Sequence, residues 1–282
     1  MHGCHYRGQR RCHGQGYTPM RMIFLVALFC SAAINAGAGE GTAPNSANNV
    51  RTINRAFAPG ERLQYAVSWS RILDAGVASM EVRQEQAPDG KKALRIVSTA
   101  RSTGLAGKIY PVMDTVESLM DAEEMYSLFY DVDQKHGRRR KKRTAIFDQT
   151  AHTARLTTDG VEETYEVPPR IQDPLSSLYY IRTLTDFTPG TPIIVDIHEK
   201  GKNWSVEVQV LGKEKIETPL GNFDTVKIKT FPKFEGVFMH KGEIFVWLTD
   251  DERRIPVMMK STITIGSIVA VLTNMKTGEQ VK

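Results

Sequence analysis

Six consecutive cations, Arg138, Arg139, Arg140, Lys141, Lys142 and Arg143, are the sharpest chemical feature of the chain. They repel one another, so the run is expected on an exposed surface. On a strand they alternate, with Arg138, Arg140 and Lys142 on one side and Arg139, Lys141 and Arg143 on the other. Such a run suits contact with an anionic surface: phospholipid headgroups, lipopolysaccharide phosphates or an acidic envelope protein. Near an anionic membrane each cation contributes about 1 kcal/mol. The structural alternative is a solvated hairpin whose charge discourages edge pairing. A second set, Tyr65, Trp69, Tyr179, Trp204 and Trp247, has the types that line an apolar pocket for a lipid or other hydrophobic ligand. Aromatic residues at strand spacing also build cores.

Little else points to chemistry. His136, His152, His198 and His240 have no metal-pair spacing and read as surface or turn residues, with His198 on an outward face after Ile194 and Asp196. No Gly-x-Ser-x-Gly elbow is present, and Ser176 and Ser177 sit inside a helical pattern. Asp250, Asp251 and Glu252 share a turn with Arg253 and Arg254, without the calcium-loop pattern. No catalytic residue, metal ligand or cofactor motif is assigned, and a non-enzymatic protein is expected.

These residues need a compartment. Met20-Arg21-Met22 precedes an apolar-to-small run from Ile23 to Ile34, followed by Ala36-Gly37-Ala38. That is a signal peptide, with an apolar stretch too short to span a bilayer and small residues two apart at the cut. Residues 1–38 are the export segment, and the mature chain starts near Gly39 in the periplasm. Residues 1–19 have no periodicity. They are either upstream of a true start at Met20 or Met22, or an extended leader. Cys4, Cys12 and Cys30 all precede the cut, so the mature chain has no disulfide or thiolate chemistry. Phe29 stands where a lipid-modified cysteine needs a small residue, which argues against acylation at Cys30. The cut also removes four arginines and no acid, so the formal charge of +5 falls to near neutral. An exported chain with no aromatic residues in its basic run is not expected to meet nucleic acid.

The elements that position the candidates are strands. Residues 39–55 are small and polar and read as a flexible tether. A single domain then covers 56–282. Leu63, Tyr65, Val67 and Trp69 alternate with Arg62, Gln64, Ala66 and Ser68, a period of two with one buried face. The pattern recurs at Leu128–Val132, Val161–Val167, Ile193–Ile197, Trp204–Val210, Val226–Ile228 and Ile255–Ile265, between Gly, Pro, Asn and Asp turns. This spacing predicts an antiparallel meander of about a dozen strands. Glu243–Thr249 is apolar on both faces and should be central and doubly covered. One helix is predicted, capped by Asp173 with Pro174 in its first turn and an apolar stripe of Leu175, Leu178, Tyr179, Ile181 and Leu184. The fold expected is all-β: a curved sheet or open half-barrel with one helix packed against it.

Four phrases in order resemble an exported bacterial family known as domain of unknown function 3108. They are Phe57-Ala-Pro-Gly-Glu61 with Leu63-Gln-Tyr65, Asp173 to Arg182, Thr218 to Phe223, and Trp247 to Asp250 running through Arg254 to Val257. The resemblance spans Phe57 to Leu272 and implies an exported all-β protein without an assigned activity. The stretch from Trp247 to Pro256 is also similar, at fold level, to periplasmic lipoprotein-carrier half-barrels, which hold lipid chains in a curved sheet. That resemblance implies a lipid-like ligand in the concavity. The alternative is an interaction or assembly factor that uses the basic hairpin and the sheet edges.

Overall fold

The computed structural model describes residues 54–234, 237–238, 243–263 and 266–279. The expected export segment with its cysteines, most of the expected tether, His240 and Ile265 lie outside these residues. The chain opens with strands β1 (Arg62–Trp69), β2 (Leu73–Gln86) and β3 (Lys92–Ser102). Helix α1 (Gly104–Ile109) leads to β4 (Val112–Asp121), β5 (Ser127–His136), β6 (Arg139–Asp148), β7 (Thr153–Thr158) and β8 (Val161–Glu166). Helix α2 (Pro174–Thr183) separates these from β9 (Ile193–Glu199), β10 (Lys202–Thr218), β11 (Gly221–Phe234) and β12 (Val237–Phe238). Strands β13 (Ile244–Thr249), β14 (Pro256–Thr262) and β15 (Ser267–Lys276) complete the fold.

All the strands belong to one 15-stranded antiparallel sheet, ordered β8-β7-β6-β5-β4-β3-β2-β1-β15-β14-β13-β11-β10-β9, with β12 paired to β11. Two meanders, β1 to β8 and β9 to β15, are joined by the pairing of β1 with β15. The backbone ladder is not closed between its end strands β8 and β9. The segment after β8 bridges them instead. Gln172 pairs in parallel with Ile197 of β9, and its N–H donates to the Asp196 carbonyl at 2.9 Å. Asn203 Nδ2, at the start of β10, donates to the Glu166 carbonyl of β8 at 2.8 Å.

Alternation sets the curvature. Leu63, Tyr65 and Val67 of β1 are buried while Arg62, Gln64 and Ala66 face water. The inward side chains of the strands and of α2 form one continuous apolar cluster. Strand β13 is buried on both faces over Val246–Thr249, as its composition predicts. Three details depart from expectation. The short helix α1 carries no periodic signature. Strand β14 ends at Thr262, so Ile263 leaves the ladder. Val161 of β8 is exposed, because an edge strand has nothing packed on it there. Among the described residues no helix is long and apolar enough to cross a membrane.

Candidate functional site

Helix α2 seals one end of the curved sheet. Asp173 Oδ1 accepts from the N–H groups of Leu175 and Ser176 at 2.7 and 2.9 Å, and Ser176 Oγ accepts from the Asp173 N–H at 2.9 Å. This reciprocal cap satisfies donors that a helix start otherwise leaves open. The other carboxylate oxygen accepts from Ser118 Oγ on β4 and Ser127 Oγ on β5, both at 2.6 Å. One buried carboxylate therefore starts the helix and ties it to the sheet.

The far end of α2 is held by charge. Arg182 is fully buried and donates through both terminal nitrogens to Glu61, each at 2.8 Å. It also reaches the carbonyls of Ala56 and Arg253. Its guanidinium lies 5.2 Å from the ring centre of Phe57 and 4.9 Å from that of Tyr179. Burial works against the charge, but Glu61 beside it more than compensates and pushes the Arg182 pKa above its ordinary range. Burial likewise pushes the phenols of Tyr65 and Tyr179 up. Tyr65 Oη donates to the Pro256 carbonyl at 2.9 Å. Arg182 falls seven residues after Leu175 and four after Leu178, on the buried stripe of the helix. A cation at that spacing is the sequence signal for this pair.

The opposite end of the sheet is a rim of different character. Inward residues of β2 and β3 are large near α2 (Met80, Val82, Leu94, Ile96) and small toward the rim (Gly76, Ala78, Ala100, Ser102). Half-buried Trp69 and Ile244 finish the inner face there, and Tyr110 follows α1. Tyr110 meets His136 edge-on at 6.4 Å, and His136 Nε2 lies 2.9 Å from Oδ1 of the fully buried Asp114. In register beside them, Asp114, Gln134 and Lys141 share the inner face, as do His136 and Arg139. Gln134 Nε2 is buried without a hydrogen-bond partner among the described residues.

The five aromatic candidates are not brought together. Tyr65 and Tyr179 are core residues at the plugged end, where α2 fills the concavity. Trp69 stands at the rim on β1. Trp204 lies on β10, with four strands between it and β1 in the sheet order. Trp247 is on the face of β13 opposite Val246 and Leu248, where its indole donates to Glu214 and lies 4.9 Å from Lys227 Nζ. Of the five, Trp69 borders the rim at the β1–β2 turn, and Trp204, at the start of β10, lies beyond the register of Ile244 at the same end.

The basic run divides as its alternation predicts, but one member is not on the surface. Arg143 is buried, with its guanidinium 3.1 Å from Glu199 of β9. Burial pushes the Glu199 carboxyl up, against the pull of Arg143. Arg140 makes a two-pronged pair with Asp133 at 2.9 and 2.6 Å. Arg138, Arg139, Lys141 and Lys142 are exposed. His198 is also a correction. It is buried against Phe147 and Tyr165, and Nδ1 lies 2.7 Å from Asn203 Oδ1. Its outward face is covered because the end of β8 comes across β9, a long-range contact that alternation does not report. Burial lowers its pKa. No group of three or more metal-ligating side chains occurs among the described residues.

No curated protein matches the chain. The beta-barrel-like protein of domain of unknown function DUF1849 from Brucella abortus superposes with a TM-score of 0.53 at 8% identity, over 79% of this chain and 100% of that one. A protein with a YmcC-like fold from Bacteroides fragilis is matched at a TM-score of 0.32 and 11% identity, over 78% of this chain and 97% of that one. The first of these likenesses shows a shared barrel-like fold. The family model described as Protein of unknown function (DUF3108) matches residues 64–273, and the chain belongs to that family.

Proposed function

We propose that this chain is an exported, non-enzymatic protein of the cell envelope that takes an acyl chain of a lipid-like ligand into the rim of its curved sheet. The taper of the inner wall carries this reading. Side chains shrink to Gly76, Ala78 and Ala100 toward a rim bordered by Trp69 and Ile244, so the apolar surface there is thinly filled. Binding is confined to that end, because α2 packs the other. Gln134, Lys141 and Arg139 stand on the same inner wall and offer donors to a polar or acidic head. The periplasmic location rests on the export segment in the sequence.

Native mass spectrometry of protein purified without detergent, before and after solvent extraction, tests the reading. A lipid mass that leaves on extraction is expected, and a clean apo mass under gentle conditions overturns it. Titration with palmitate adds a residue-level check. The fluorescence response should fall in Trp69→Phe and persist in Trp247→Phe.

A second reading, an assembly factor that pairs with an envelope protein, is favoured by β8. Four of its six residues, Val161–Thr164, form a continuous exposed stretch of an end strand. Substituting Arg138–Arg140 with serine should then abolish partner capture and leave the thermal midpoint nearly unchanged.

A further inference from the structure

The rim carries large apolar side chains that no internal packing explains. Ile72 is 87% exposed, Leu105 70%, Ile109 68% and Met113 56%. None of the six residues of α1 is buried, so its two large apolar side chains contribute nothing to the core. The tips are held in fixed positions. Ser70 and Arg71 both take left-handed backbone conformations, and the turn closes with Ile72 N–H donating to the Trp69 carbonyl at 3.0 Å. Next to it, the Thr103 N–H at the start of α1 donates to the Ala75 carbonyl of β2.

The cations stand on the same rim. The Gly137 N–H, at the β5–β6 turn, donates to the Pro111 carbonyl just after α1 at 2.8 Å, which places Arg138 and Arg139 beside the helix. On the outer face a single cross-strand row runs Val77, Arg101, Met113, Lys135, Arg140, two apolar side chains interleaved with three cations. Lys108 lies on α1 itself, and Arg71 in the tip of the β1–β2 turn. Acids nearby include Asp74, which is exposed, Asp159, which is exposed beside Lys142, Asp133, which is held by Arg140, and Asp114, which is buried on His136.

We infer that this rim docks on an anionic phospholipid bilayer, with Ile72, Leu105 and Ile109 entering the headgroup region and the flanking cations meeting lipid phosphates. Apolar tips ringed by cations complement such a surface in both respects: tips gain by leaving water, and cations gain from the surface potential. A protein partner would have to match the tips in shape, whereas a bilayer accommodates them at any spacing. The inference stands whether or not the rim also holds a ligand.

Vesicle flotation tests it, using the protein as recovered from cells without detergent, on phosphatidylglycerol-containing and pure phosphatidylcholine vesicles. Binding to the anionic vesicles is expected, falling as salt is raised. The variant Ile72→Ser/Leu105→Ser/Ile109→Ser and the variant Arg138→Ser/Arg139→Ser/Lys141→Ser should each bind at least about tenfold more weakly. All these side chains are exposed, and unchanged thermal midpoints will show that both variants fold. Equal binding to the two vesicle types overturns the inference. So does undiminished binding of the apolar variant, which would leave the tips without a role. A dimer in lipid-free buffer that the apolar variant dissolves also overturns it, because the tips then cover a second copy.

Discussion

Arg182 and Glu61, 121 residues apart in the chain, form a two-pronged ion pair in which neither side chain reaches solvent. The pair joins the end of α2 to the entry of the first strand, and Phe57 and Tyr179 enclose it. Removing one partner leaves the other charged and buried without compensation. Arg182→Met should therefore cost about 3–5 kcal/mol in urea denaturation. Arg182→Met with Glu61→Gln should recover a large part of that loss. A double variant as unstable as the single one would show that the ring packing, not the charge, sets the cost.

Asp173 joins cap and sheet through a single carboxylate. Asp173→Ala removes the helix cap and leaves the Ser118 and Ser127 hydroxyls without their acceptor. A loss of about 2–4 kcal/mol is expected, from one cap and buried donors left unmet. Asp173→Asn keeps one oxygen for the helix N–H groups and should lose less. Denaturation midpoints for the two variants check the order.

His198 supplies a pH dependence. Burial lowers its pKa below the ordinary 6.5, so the folded state binds its proton less readily than the unfolded state. Its contribution to stability is complete above pH 6.5 and is lost as pH falls through the lowered folded value. The fall in melting temperature between pH 8 and pH 5 should be shallower in His198→Phe than in the parent. Parallel curves would mean that the imidazole is not the group responsible.

Gly76 faces the carbonyl of Arg101 across the β2–β3 pair. A Cβ built there would stand 2.1 Å from that oxygen. Gly76→Ala should force the two strands apart and cost about 1–3 kcal/mol, with a lower thermal midpoint. The change lies at the rim, so ligand retention should fall with it. By contrast, Gly90→Ala adds a methyl that meets nothing. It is penalised by its positive φ alone.

The parts of this architecture that depend on neighbouring residues were legible in the sequence. Alternation marks β1, β5 and β9, and Asp173-Pro174 marks the start of α2. The two apolar faces of Ile244–Leu248 announce a doubly covered strand. What the sequence did not disclose depends on how the ends of the sheet meet. His198 and Arg143 lie in polar patterns, yet both are buried where β6 and β8 approach β9. Alternation separates Trp247 and Phe245 from Val246 and Leu248, but which of the two faces looks inward depends on the curvature of the whole sheet. The basic run was legible as a cluster, but the apolar tips beside it were not. Ile72 and the pair Leu105 and Ile109 belong to two separate stretches, and a turn and a six-residue helix bring them to one rim.

The pairing of β1 with β15 has a consequence for how the molecule assembles. The first and last strands of the fold meet in the middle of the sheet, and its free edges come from the middle of the chain. A chain emerging N-terminus first can complete the β1–β8 meander early. The other edge of β1 then stays unsatisfied until the final strand arrives. For that interval a row of unpaired backbone donors and acceptors is open to other chains, which is the circumstance in which aggregation begins. Nascent molecules of this architecture should therefore depend on holding factors more than the finished protein does, and truncations that remove only β15 should be the most aggregation-prone of all.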